Sequence, residues 1–131
     1  MKLKPLVFLV LVALAAMLLD GCRTATIYNV RDAPVSVVRS EYTLKDVSDA
    51  IERAGAALGW QMKEQEPGHI VGTLFIRSHM AQVDINYTKT SYNIEYKDST
   101  NLKYDGTHIH NNYNGWIQNL DNGIRAQLTA L

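Results

Sequence analysis

Three runs between residues 69 and 97 alternate apolar and polar side chains so regularly that they leave little choice of local structure. In a β-strand successive side chains point to opposite faces, so a period of two buries one set and exposes the other. Ile70, Leu74 and Ile76 form the inward set of residues 69–77. Ala81, Val83, Ile85 and Tyr87 form that of residues 80–88, and Tyr92, Ile94 and Tyr96 that of residues 91–97. With Ser78-His79 and Lys89-Thr90 as two-residue turns, Leu74 faces Val83, Val83 faces Tyr96, Ile85 faces Ile94, and Tyr87 faces Tyr92. The inward residues then match across three antiparallel strands, and a slip of one residue would turn each set to the wrong face. Neither turn carries the Asn-Gly or Asp-Gly chemistry of tight hairpins, so longer loops remain open. Gly72 would face Ile85; a glycine inside a strand marks a bulge or the close approach of another element.

Helical spacing flanks these strands. Leu44, Val47, Ala50, Ile51, Ala54 and Leu58 recur at three- and four-residue intervals, with Lys45, Asp49, Glu52 and Arg53 on the other side. Thr43 and Asp46 are spaced as a capping box, and Gly59 fits a left-handed C-terminal cap, which predicts a helix over 44–58. A short strand is expected at 60–64, with Trp60 and Met62 facing one way, before the turn signal Pro67-Gly68. Residues 98–106 read as a loop closing on Asp105-Gly106. A second helix is then expected from a Thr107 cap, burying Ile109, Tyr113, Trp116, Ile117, Leu120, Ile124, Leu128 and Leu131. Gly115 and Gly123 inside it imply close packing or a bend. The expected fold class is α+β: an antiparallel three- to four-stranded meander flanked by an N-terminal and a C-terminal helix packed on one face.

Residues 23–42 show no clear period. Asp32-Ala33-Pro34 reads as a turn, and the short β-prone pieces on either side fit a tether or a strand laid on the domain, with partial order expected.

The first residues carry a different kind of signal. Lys2 and Lys4 precede an uncharged apolar run at 6–19, shorter than the roughly 18–20 residues needed to span a bilayer. Its length and flanks fit a signal peptide. The run ends in Leu19-Asp20-Gly21-Cys22, which resembles the lipobox of bacterial lipoproteins, although Asp20 stands where alanine or serine is commoner. The resemblance implies cleavage after residue 21, a diacylglycerol and further acyl chains such as palmitate on Cys22, and a membrane anchor there. Several chains are needed for stable attachment, since one alone holds only marginally. Arg23, where inner-membrane retention is associated with aspartate, implies the outer membrane and its periplasmic face. Cys22 is the only cysteine in the chain, so no internal disulfide can form. The expected organisation is a signal peptide at 1–21, a lipidated and partly ordered linker at 22–42, and an α-β-β-β(-β)-α domain at 43–131.

Chemistry is sparse. Thirteen Lys and Arg residues balance 13 Asp and Glu for a formal net charge of 0. There is no basic field of the kind that draws nucleic acid. His108-Ile109-His110, with His69 and His79 elsewhere, is a weak metal-ligand pattern, read as polar residues around a helix start. Asp84 falls opposite Glu95 in the expected register, read as a surface pair relieved by Lys97. Tyr87, Tyr92, Tyr96, Tyr104, Tyr113 and Trp116 read as core with hydroxyls at its rim, or as a groove for glycan or peptide. Asn111, Asn112 and Asn114 read as a solvated first turn or a polar recognition patch. No nucleophile motif, P-loop or dinucleotide fingerprint occurs.

Tyr92-Asn93-Ile94-Glu95-Tyr96, Asn101-Leu102-Lys103-Tyr104, Ile109-His110 and Tyr113-Asn114-Gly115-Trp116 through Leu120-Asp121 together resemble a group of small, uncharacterised proteobacterial lipoproteins. That resemblance implies an envelope destination and an α+β fold, and it brings no catalytic residues. The expectation is a non-enzymatic protein-interaction or structural module with no cofactor. Its partners would be the membrane, through Cys22, and an envelope protein or a second copy. Val71 and Phe75, apolar on the second face of their strand, are the candidate contact surface; residues 27–38, a second copy or a partner are candidates to cover it. The alternative is a binding module for a glycan fragment or metal ion.

Overall fold

The computed structural model describes residues 23–131, so the apolar run and Cys22 lie outside the described residues. In chain order the elements are β1 (Thr24–Thr26), β2 (Val30–Pro34), α1 (Leu44–Ala57), β3 (Gln61–Glu66), β4 (His69–Ile76), β5 (His79–Tyr87), β6 (Ser91–Thr100), β7 (His108–His110) and α2 (Asn111–Thr129). The class is α+β: two helices packed together, a five-stranded antiparallel sheet in the order β2-β6-β5-β4-β3, and a two-stranded sheet of β1 and β7.

β3 to β6 form the expected meander, and a fifth strand is added to it. β2 comes from the segment before α1 and pairs with β6, Val30 opposite Ile94 and Ala33 opposite Tyr92, with a bulge between them. Asn side chains close the gaps that the bulge leaves. Asn93 Oδ1 accepts from Asp32 N at 2.7 Å, and Asn29 Oδ1 accepts from Tyr96 N at 3.0 Å.

The β5–β6 register matches the sequence reading: Val83 opposite Tyr96, Ile85 opposite Ile94, Tyr87 opposite Tyr92. Its turn is stabilised by the Thr88 hydroxyl, which accepts from Thr90 N and Ser91 N, both at 3.1 Å. The β4–β5 register differs by two residues. The turn is Arg77-Ser78, so Leu74 faces Ala81, Gly72 faces Val83 and Ile70 faces Ile85. Arg77 enters the left-handed region (φ 55°), which tightens the hairpin one residue earlier than expected. The faces are preserved because a shift of two keeps side-chain parity. β6 also runs past residue 97, through a bulge there, to Thr100.

Gly72 marks a close approach. A Cβ there would stand 3.1 Å from Met62 Sδ and 3.3 Å from Trp60 Cε3. α1 carries the full capping box of Thr43 and Asp46, and Gly59 follows its C-cap at φ 88°. α2 begins later than expected. His108–His110 is a strand, and His110, not Thr107, caps the helix, its ring accepting from Asn112 N at 3.2 Å. Gly123 lies where the helices meet; an added methyl would stand 3.5 Å from Leu58 Cδ1 and 3.6 Å from the Ala54 Cβ, ordinary van der Waals contact, so the packing there does not demand a glycine.

Val47, Ala50, Ile51 and Ala54 of α1, and Tyr113, Ile117, Leu120, Ile124 and Leu128 of α2, join the inward residues of β4, β5 and β6 in one core. Leu102 and Ile109 complete it from the segment before α2.

Candidate interaction surface

The side chains of the sheet that point away from this core are partly or fully exposed. Val71 and Phe75 are both among them. Val71 lies between Lys63 of β3 and Asp84 of β5; Phe75 lies opposite Met80 and is 62% exposed, high for a large apolar side chain. A shallow groove of about 370 Å³ runs beside Phe75, lined by Thr73, His79, Met80, Gln82, Thr100 and the turn residues Arg77 and Ser78. Residues 27–38 do not cover this face: their strand, β2, lies at the far edge of the sheet beside β6.

The charged groups on the same face are paired laterally. Asp84 and Glu95 are cross-strand neighbours, as expected. Asp84 Oδ1 is 2.7 Å from His69 Nε2 and 3.6 Å from Lys97 Nζ, and Glu95 Oε1 is 3.5 Å from Arg31 Nε. The two carboxylates each have their own cationic neighbour, which relieves the repulsion that two acids sharing one site would feel. An apolar patch edged by neutralised charges presents little desolvation penalty to a protein partner.

A second concavity lies between α1 and the β3–β4 hairpin. It encloses about 410 Å³ and is lined by Lys45, Asp49, Glu52, Glu64, Pro67 and Tyr87, with Leu44. At its base Glu64 Oε1 accepts from Tyr87 Oη at 2.5 Å and from Ser48 Oγ at 3.1 Å. Burial, reinforced by the charges of Glu64 and Asp49, raises the Glu52 carboxyl above the usual range. Among the described residues no group of three or more His, Cys, Asp or Glu side chains is arranged to hold a metal ion.

His79 and His110 come together, their ring centroids 6.3 Å apart, while His69 is engaged on the outward sheet face. Of the tyrosines, Tyr87, Tyr92 and Tyr113 are buried. Tyr96 stacks on Tyr104 with centroids 4.0 Å apart and meets Tyr113 edge-on at 5.9 Å. Asn114 pins the N-terminal segment: its side chain accepts from Tyr28 N and donates to Thr26 O, both at 2.9 Å. The buried Asp121, bound to Tyr92 Oη, was not singled out by sequence. The available signal was its place on the stripe of Ile117, Leu120, Ile124 and Leu128. Among the described residues no helix is long and apolar enough to cross a membrane.

Comparison of the chain with protein-family models, with curated proteins and with solved structures gives no match.

Proposed function

We propose that this chain is an outer-membrane lipoprotein, anchored through Cys22 and facing the periplasm, whose domain is a small module that binds another envelope protein through the uncovered face of its sheet. The observation that supports it most is the exposed Phe75, beside Met80 and above a groove, on a sheet face across which no helix lies among the described residues. Apolar side chains set in a rim of satisfied polar groups are how specific protein interfaces are built. The test is a photo-crosslinking residue at position 75 in the protein as it sits in bacterial membranes. A discrete adduct heavier than a dimer, lost in Val71→Asp, is the expected result. A band at twice the chain's own mass would assign the face to self-association. A crosslink-free protein would overturn the reading.

A second reading rests on the acidic cleft between α1 and the β3–β4 hairpin. Its lining carboxylates, Asp49, Glu52 and Glu64, offer hydrogen bonds to the hydroxyls of a glycan fragment. Saturable binding of muropeptides, abolished in Glu52→Ala, would favour it over the sheet face.

A further inference from the structure

Residues 23–28 are held on the domain by one small set of contacts. Among the described residues β1 pairs only with β7, Thr24 opposite His110, Ala25 opposite Ile109 and Thr26 opposite His108. Around this pairing the Arg23 carbonyl accepts from Asn111 N, Ile27 N donates to Thr107 O, and the Asn114 side chain holds Tyr28 N and Thr26 O, each at 2.9 Å. None of residues 23–28 is buried, although Ile27 packs partly buried against the core. The chain joins the five-stranded sheet only at Val30, which is 5% exposed.

The partners in this set, residues 107–114, all flank His110. Its ring caps α2, Nδ1 accepting from Asn112 N at 3.2 Å, and its backbone N–H donates to Leu102 O at 2.8 Å. An imidazole accepts at Nδ1 only while that nitrogen carries no proton. An imidazolium there loses the cap and sets a positive charge on the positive end of the helix dipole. It also faces cationic groups from the neighbouring elements: His79 of β5, its ring centroid 6.3 Å away, Lys103 of the segment before β7, and Arg23. Asp105, the carboxylate of that segment, accepts from Thr107 N and His108 N and lies 3.8 Å from His108 Nδ1, so it is engaged elsewhere. His79 Nδ1 donates to Asn101 O at 2.7 Å, a bond that protonation of its other nitrogen leaves intact.

We propose that residues 23–28 form an acid-released strap: protonation of His110 beside His79 frees β1 from β7 and from the first turn of α2, while the core stays folded. Extended, residues 23–28 span about 20 Å. In an anchored chain the release lengthens the tether by that amount. This consequence rests on acylation of Cys22; the release itself does not.

The test is hydrogen exchange of the full chain, isolated from bacterial membranes in mild detergent, with its intact mass measured. Protection, corrected for the intrinsic pH dependence of exchange, is compared at about pH 7.5 and about pH 5. Residues 24–28 are expected to lose protection about tenfold at the lower pH, within the range set by loss of a helix cap, and residues 83–87 of β5 to keep theirs. His110→Asn, which caps without titrating, is expected to hold the strap at both values. His79→Gln, which removes the neighbouring charge, is expected to move the loss to lower pH. Unchanged protection of residues 24–28 in the native chain, an equal loss in His110→Asn, or an equal loss across β5 would each overturn the strap. A mass without acyl chains would overturn the longer tether and not the release.

Discussion

Tyr92 of β6 donates its phenolic hydroxyl to the buried carboxylate of Asp121 on α2, with 2.5 Å between the oxygens. Tyr92 has no exposed surface and Asp121 is 7% exposed, so the bond lies inside the helix–sheet interface. Arg125, one turn on, reaches both carboxylate oxygens at 3.3 Å from the solvent side. The carboxylate is thereby held between a neutral donor from the sheet and a cation at the surface, which is what a buried charge requires. Tyr92→Phe removes the inner donor and is expected to lower stability by about 1.5–3 kcal/mol, the range for hydrogen bonds to charged groups. Urea unfolding measures it. Adding Asp121→Leu should recover part of that loss, since replacing both partners leaves no orphan acceptor. A neutral Tyr92→Phe would show that the bond contributes nothing net.

Tyr113 is the counter-case. It too is fully buried, yet its hydroxyl makes no hydrogen bond among the described residues. A buried hydroxyl without a partner carries its desolvation penalty uncompensated. Tyr113→Phe keeps the ring packed against Tyr96 and deletes the orphan oxygen. It should therefore raise stability, by about 1 kcal/mol, in the same urea assay in which Tyr92→Phe lowers it. The opposite sign would mean that the hydroxyl has a partner.

Burial, the first cause in each case, raises Tyr87, Tyr92, Tyr96 and Tyr113 above the ordinary tyrosine range. The folded chain then keeps phenolic protons that the unfolded chain releases near pH 10, so this stability is present below about pH 10 and is lost as pH rises further. Absorbance at 295 nm should show part of the seven tyrosines titrating reversibly and the rest ionising only with unfolding. A single smooth transition of all seven in a folded protein, followed by circular dichroism, would refute it.

What was legible in the sequence divides along physical lines. The β5–β6 pairing from Val83 to Tyr87 was readable because the alternation there is unbroken and a wrong parity would bury Asp84 and Glu95; the bulge near residue 97 and the extension of β6 to Thr100 were not. The β4–β5 register was not, because pairings two residues apart put the same side chains inward. Only the turn distinguishes them, and it uses an arginine at positive φ where no glycine or asparagine announces it. The strand expected as one option for residues 23–42 is β2, but Asp32-Ala33-Pro34, read as a turn, lies inside it: a bulge between Val30 and Ala33, with Asp32 at φ 52°, breaks the period of two that would have marked the strand. Ile109 fits the helical stripe by spacing but belongs to β7, since Leu102 O and the β1 pairing compete for its neighbours' backbone groups. Of the candidate surface, Val71 and Phe75 could be read as apolar residues on the polar parity of a strand. The meeting of His79 with His110 could not, because it depends on how residues 101–110 fold back over the β4–β5 turn.

His110 links that fold to pH. Its ring caps α2 by accepting from Asn112 N, which only the neutral imidazole can do. Burial and the nearby charges of His79, Lys103 and Arg23 also disfavour its protonated form, so its folded-state pKa is lowered. A depressed pKa contributes stability that is present above the unfolded value, near 6.5, and is lost as pH falls. Comparing urea midpoints at about pH 7.5 and 5.5 should show a decline in the native protein that is smaller in His110→Asn. Asparagine is chosen because its side chain caps a helix as well as any and does not titrate there, so the variant keeps the structural role while losing the proton. The same decline in both proteins would place the acid sensitivity elsewhere.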